Sequence, residues 1–283
     1  MVYHYTRAAT LTGLLSSQRF RATMTSHLND TTELAHASDL FRGSLRRRAA
    51  ARATTDFDLY PGKLTDYDYA GSDLITTFVA SFSGAEDHLP QWCMYGDSFA
   101  GVALGFYSAA FVRLDAAEAS PQPVGFFRVQ YLEHEQSEMF DWLVEEWERH
   151  ATDAWRTDIP AASNRRWLRA WWYSVVAVGG LSLLPRMKSE YFGSEREWRL
   201  AHLHNRGRAD CPVLASNGKP YVALDASFGG TALPLASVWL GPAVSNDGSE
   251  ELVRALLTRS GYSHVPVLRS RIPLRREAQL IAL

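Results

Sequence analysis

Residues 76–83, Thr-Thr-Phe-Val-Ala-Ser-Phe-Ser, together with residues 101–106, Gly-Val-Ala-Leu-Gly-Phe, decide how this chain is read. Both are short apolar runs bounded by turn residues, the pattern of strands buried in a core. Working outward, Val2–Thr6 sets aromatic and β-branched residues around one histidine and predicts a short strand, followed by a helical turn over Leu11–Ser17. Leu28-Asn29-Asp30, with Thr31 and Glu33 behind it, supplies turn chemistry and a cap for a helix over Leu34–Ala53. Downstream, Phe127–Tyr131 alternates as a third core strand. Glu133–Trp155 then places Phe140, Leu143, Val144 and Trp147 on one helical face, and Trp167, Trp171 and Trp172 continue into a second helix. Strand character returns at Trp198–Leu203, Tyr221–Leu224, Ser237–Gly241 and Val265–Ser270, with a helix over Glu250–Ser260. Blocks of short strands separated by helices point to an α+β fold rather than a doubly wound parallel sheet.

The 283 residues carry no repeat, low-complexity tract or Pro/Gly/Ser linker, so the expectation is one domain, 1–283, with a Trp-rich helical insertion at about 133–187. A composition 46% hydrophobic and 12% aromatic supplies a packed core. The formal net charge of -2 excludes a global basic field, so a nucleic-acid partner would need a local patch. Two cysteines, Cys93 and Cys211, form no zinc-type spacing and fit a reducing cytoplasm. The N-terminal stretch lacks the charged and apolar regions of a secretory signal. The uncharged run Ala170–Pro185 is shorter than the roughly 18–20 residues that span a bilayer and contains Gly179 and Gly180. It reads as a buried helix and turn, and no membrane partner is expected.

Phosphate-loop and dinucleotide-fold glycine motifs are absent, as is the Gly-x-Ser-x-Gly of hydrolases. The most suggestive chemistry is Glu195-Arg196-Glu197-Trp198-Arg199 at the head of an apolar strand. Residues i and i+2 share a strand face, so both carboxylates would enter one cleft. The alternative is a surface strand end with those carboxylates paired to Arg196, Arg199 or other cations. Arg42, Arg46, Arg47, Arg48 and Arg52 form a local basic cluster, read either as a target-binding patch or as a solvated helix face.

Tyr3-His4-Tyr5-Thr6, Leu28-Asn29-Asp30 with Glu33, Ser81-Phe82-Ser83, Trp92, Tyr95, Gly101-Val102, Lys188, Glu195–Arg199, Leu240-Gly241-Pro242 and Ser270–Arg275 stand in order along nearly the whole chain. In this they resemble a bacterial family of uncharacterised proteins, the domain of unknown function 2971 family, and through it the ADP-ribosyltransferase superfamily. The resemblance implies an ADP-ribosyltransferase-like mixed β core of two packed sheets with helical insertions, and NAD as substrate without a metal. It assigns His4 to hydrogen-bonding the NAD ribose, Ser81 or Ser83 to bracing the site and Tyr95 to stacking on nicotinamide, with Tyr5, Thr6 and Phe82 among the NAD-binding residues. Glu195 and Glu197 match its Glu-x-Glu motif, Glu197 being the catalytic carboxylate. Phe82 departs from the small polar residue usual in the middle triplet, and His4 from the arginine that usually accompanies Glu-x-Glu.

Cleaving the nicotinamide N-glycosidic bond passes through an oxocarbenium-like ribose, which a carboxylate such as Glu197 stabilises. The segment Lys188–Ser194 occupies the place of the superfamily's target-recognition loop and offers Tyr191 and Phe192 for stacking on a base or a protein surface. The expected acceptor is a macromolecule, nucleic acid or protein, as for a toxin or anti-phage effector with an antitoxin or inhibitor partner. Release of ADP-ribose to water, a nucleotide or nucleic-acid binding module without turnover, and a nuclease built on His4, Glu33 and Glu197 are the rival readings.

Overall fold

In the computed structural model the eight-residue strand Thr76–Ser83 is the axis of the molecule, and the sheet forks along it. Residues 1–30, 32–51, 62–71, 76–115, 124–156, 176–204, 212–227, 232–245 and 248–274 are described. Their strands, in chain order, are β1 (Val2–Thr6), β2 (Arg19–Met24), β3 (Thr76–Ser83), β4 (Val102–Phe106), β5 (Val124–Arg128), β6 (Glu197–His204), β7 (Leu214–Ser216), β8 (Lys219–Asp225), β9 (Leu235–Leu240) and β10 (Val267–Arg269). The helices are α1 (Ala8–Ser17), α2 (Glu33–Ala51), α3 (Gly62–Thr65), α4 (Leu89–Met94), α5 (Ser108–Asp115), α6 (Glu133–Arg156), α7 over residues 176–183 and α8 (Ser249–Arg259).

One edge of β3 pairs along its full length with β6, from Thr76 beside His204 to Ser83 beside Glu197, and β6 pairs in turn with β5. The other edge is shared. β2 takes the Phe78–Val79 end and carries β8 and β7 outward, while β1 takes Ser83 and carries β4, β9 and β10. All ten strands are thus hydrogen-bonded into one mixed sheet, with only β9 and β10 parallel, instead of the two packed sheets expected. The reason is the length of β3, which holds a different neighbour at each end of one edge and lets the two arms diverge between them.

Alternation along the strands sorts the two faces. Phe20, Ala22, Phe78, Ala80, Phe82, Val102, Leu104, Phe106, Leu200, Val222 and Leu224 point into the main core, which α1, α5 and α8 close with Leu11, Leu14, Phe111, Val253 and Leu257. Arg21, Thr23, Val79, Ser81, Ser83, Glu197 and Arg199 occupy alternate positions and belong to the opposite face. The β2 strand, absent from the sequence-based expectation, follows the same rule, with Arg19 and Arg21 exposed between buried Phe20 and Ala22.

A second core belongs to the helices. Ala37, Phe41 and Leu45 of α2 pack with Leu64, Tyr69, Phe140, Val144, Val176, Leu181, Leu184 and Met187. Gly179 and Gly180 permit this approach, because a Cβ on Gly179 would lie 1.9 Å from the Trp147 ring and one on Gly180 2.0 Å from that of Phe41. The helical insertion is therefore one layer with α2. Trp167, Trp171 and Trp172 lie outside the described residues. Among those residues no helix is long and apolar enough to cross a membrane.

Candidate functional site: a carboxylate cluster at the sheet fork

Where β3 parts from its neighbours, a cleft of about 350 Å³ opens. Its lining includes His4, Tyr5, Arg21, Thr23, Asn29, Ser81, Phe82, Ser83, Tyr95, Lys188, Glu195, Glu197, Arg199 and Lys219.

Glu197 is the first residue of β6 and is 4% exposed. Arg199, fully buried two residues along the same face, donates to it from Nε at 2.8 Å and from Nη2 at 3.0 Å. The same guanidinium holds Glu33 of α2 through both carboxylate oxygens and gives a further bond to the Pro185 carbonyl, so its donors are saturated. Lys188 bridges the pair, with Nζ 3.0 Å from Glu197 and 2.6 Å from Glu195. Glu195 also accepts from the Tyr95 hydroxyl at 2.9 Å, and Asn29 donates to that hydroxyl. Three carboxyl groups thus face two cations.

Burial works to raise the pKa of Glu197, but Arg199 and Lys188, with hydrogen bonds from Arg199 and Ser81, overcome it and hold the carboxyl at about 2. Burial would lower Lys188, and its two glutamates instead raise it. For Glu33 burial prevails over Arg199 and pushes the carboxyl above its ordinary range. Burial and the Glu195 charge raise Tyr95 to about 12. At neutral pH Glu197 is ionised and Tyr95 is a donor.

The two glutamates meet for a different reason from the one their spacing suggests. Glu195 lies in a 3-10 turn, Glu190–Glu195, and Arg196 adopts the left-handed conformation with φ 46°, so only Glu197 is on the strand. Lys188, rather than strand alternation, brings the carboxylates together. Ser83 fixes the turn by donating to the Glu195 carbonyl at 2.6 Å, and the Tyr131 hydroxyl accepts the Glu197 N–H at 2.8 Å.

His4 sits in the fork. Its Nδ1 is 2.9 Å from the Ser81 carbonyl, a group on the stretch of β3 between its two neighbours. A carbonyl only accepts, so Nδ1 carries the proton. Burial lowers the His4 pKa, partly offset by that carbonyl, and the neutral ring leaves Nε2 as an acceptor. Phe20 and Phe82 pack on the ring, at centroid distances of 6.0 and 5.6 Å.

The other anticipated residues divide. Phe82 borders the cleft, but its ring is buried among Phe20, Phe106 and Phe111, which is why an aromatic stands in the middle of the triplet. Tyr5 lines the cleft while its hydroxyl ties down the following loop through the Ala85 carbonyl and the His88 N–H. Thr6 is not among the lining residues and bonds Thr10. Phe192 lies beneath Lys188, whose Nζ is 4.8 Å from the ring centre, whereas Tyr191 is 90% exposed and borders a neighbouring hollow with Asp30, Glu133 and Glu190. Arg46, Arg47 and Arg48 pair with Asp66, Asp141 and Glu145, so these side chains stitch α2 to α6 and the turn after α3, and none lines the cleft. Arg52 lies outside the described residues.

Sequence reasoning gave no site role to Tyr131, Gln136, Arg21 or Lys219. Tyr131 and Gln136 were hidden because the groups they hold at the site are backbone groups. Gln136, fully buried in α6, donates to the carbonyls of Gln130 and Lys188 and meets His36 of α2. Arg21 stands on the strand that escaped notice, though its alternation was legible.

Residues 91–200 match the family described as "Protein of unknown function (DUF2971)". This range runs from α4 to the middle of β6 and includes Tyr95, Lys188, Glu195, Glu197 and Arg199. No curated protein and no solved structure matches the chain.

Proposed function

We propose that the protein is an ADP-ribosyltransferase that cleaves the bond between nicotinamide and ribose in NAD and passes ADP-ribose to a macromolecular acceptor. One observation carries the reading: His4, Ser81, Ser83, Tyr95, Glu195 and Glu197, dispersed over nearly two hundred residues, border a single cleft. In the proposed reaction the glycosidic bond breaks, its electron pair leaves with neutral nicotinamide, and positive charge develops at the ribose. Glu197, ionised and fixed on three sides, stabilises that charge without having to reorganise. The acceptor's lone pair then forms the new bond at the same carbon, and its proton passes to solvent or a neighbouring base. Glu195, bonded to Tyr95, stands beside that position. Neutral His4 offers Nε2 to a ribose hydroxyl.

A second reading, a nucleotide-binding module without turnover, is favoured by the engagement of both Glu197 oxygens by Arg199 and Lys188.

The test is nicotinamide release from NAD, alone and with RNA, DNA or cell protein added, by the wild type, Glu197→Gln and Glu197→Gln/Lys188→Gln. The double substitution restores the charge balance that the single one disturbs. The transferase reading expects release by the wild type and its loss in both folded variants. NAD binding without release under every condition would establish the binding module in its place. The additive that accelerates release identifies the acceptor class, and release without any acceptor marks a glycohydrolase.

A further inference from the structure

The cleft has a second charged side that the carboxylate chemistry does not use. Across β3 from Glu197 and Arg199 lies the arm formed by β2 and β8. Its cleft-lining residues are Arg21, Thr23 and Lys219, with His27 from the turn after β2. Register places Arg21 beside Ala223 and Thr23 beside Tyr221. The Arg21 guanidinium lies over the Tyr221 ring, 5.4 Å from its centre, which braces the charge without neutralising it. Lys219 opens β8 directly after the turn at Asn217 and Gly218, where φ is 50° and 74°.

Arg21 and Lys219 are unlike the surface arginines that are tied into ion pairs. Arg42, Arg46, Arg47, Arg48, Arg254, Arg269 and Arg271 each face a carboxylate. Arg21 and Lys219 are exposed, and among the described residues neither has an ion-pair partner. The two cations on the carboxylate side, Lys188 and Arg199, are consumed by their glutamates and have no charge left for an anion. The cleft therefore carries an acidic wall on β6 and an unneutralised basic wall on β2 and β8, with β3 as the floor between them.

We infer that Arg21 and Lys219 form an anion subsite that holds the diphosphate of a dinucleotide whose reacting ribose lies against Glu197. This assignment rests on the cleft being a dinucleotide site and names the residues that orient the ligand in it. Arginine and lysine side chains several ångströms long, rising from neighbouring strands on one face, can converge on an anion between them, and Thr23 adds a neutral hydroxyl donor. The polarity of the cleft then fixes the ligand's direction, with the centre that becomes cationic at the acidic wall and the diphosphate at the basic wall.

The experiment compares the affinity of the full chain for ADP and for adenosine, which differ by the diphosphate, by calorimetry at low and high salt. The wild type is expected to bind ADP at least about tenfold more tightly, with the preference shrinking as salt screens exposed charges. Arg21→Ala/Lys219→Ala should abolish the preference, and Arg21→Lys/Lys219→Arg, which keeps both charges, should retain it. Circular dichroism verifies that each variant is folded. No preference in the wild type, no binding of either ligand, or a preference that survives the double alanine substitution would overturn the subsite. A diphosphate preference lost in the alanine variant, in a protein that releases no nicotinamide, would keep the subsite and remove the transferase reading.

Discussion

Glu197 owes its charge to its neighbours, which makes its contribution to stability strongly dependent on pH. Its folded pKa of about 2 lies below the ordinary 4.5, so its stabilisation is full above 4.5 and is lost as pH falls toward 2. Glu33 runs the other way. Its raised pKa favours the folded state below 4.5 and loses that effect as pH rises through the folded value. Urea unfolding of the wild type and Glu197→Gln should therefore differ by roughly 3–5 kcal/mol at pH 7, the cost of breaking a buried pair, and the gap should narrow steadily toward pH 3. A gap independent of pH would mean that packing, rather than charge, is what Glu197 supplies. At this scale much of the site was legible. Glu195 and Glu197 were found by their spacing, although the geometry behind it was a lysine bridge and a left-handed Arg196 rather than strand alternation. Arg199 was anticipated only as a possible partner, because no sequence pattern announces that a guanidinium two residues on will be saturated by Glu33, 166 positions away.

Among the elements, the helices depend on close approach where the strands depend on alternation. Gly180→Ala would force a methyl group onto the Phe41 ring and should cost about 1–3 kcal/mol through overpacking. Gly43→Ala, in the interior of α2, meets only the Arg47 side chain at 3.4 Å and should be neutral or stabilising by up to about 1 kcal/mol. Chemical denaturation midpoints of the two variants, moving in different directions, test whether Gly180 is a contact point or a mere helix defect. Strand positions were read well wherever apolar runs were bounded by turns, as in β3 and β4. The β2 strand escaped because its exposed arginines dilute the apolar signal, and β5 was expected three residues too late because Val129–Tyr131 continues in extended form to the bridge between Gln130 and Met187.

Over the whole molecule, polar ties hold the helical layer to the site: Glu33 to Arg199 of the sheet, and Gln136 to the backbone of Lys188. Gln136→Leu would leave the Lys188 carbonyl without its buried donor, at a cost of about 1–3 kcal/mol, while the Gln130 carbonyl keeps the Lys188 N–H. It should also loosen the aim of Lys188 and, on the proposed transferase reading, lower the rate of nicotinamide release more than the affinity for NAD. Steady-state kinetics on the folded variant check this, and an unchanged rate would restrict the helical layer to a structural role. The forked sheet was not legible, because two strands sharing one edge of β3 is a property of register, and register is set by partners far away in the chain.

That distance also orders events during synthesis. Residues 76–83 find their full-length partner only at 197–204, and Glu33 waits for Arg199 over an even longer interval. A growing chain that has passed β4 already holds β1, β3 and His4, yet owns no carboxylate cluster. Whatever this cleft does to its ligand, an incomplete polypeptide cannot do it, because the carboxylate cluster assembles only after the second half of the chain has emerged.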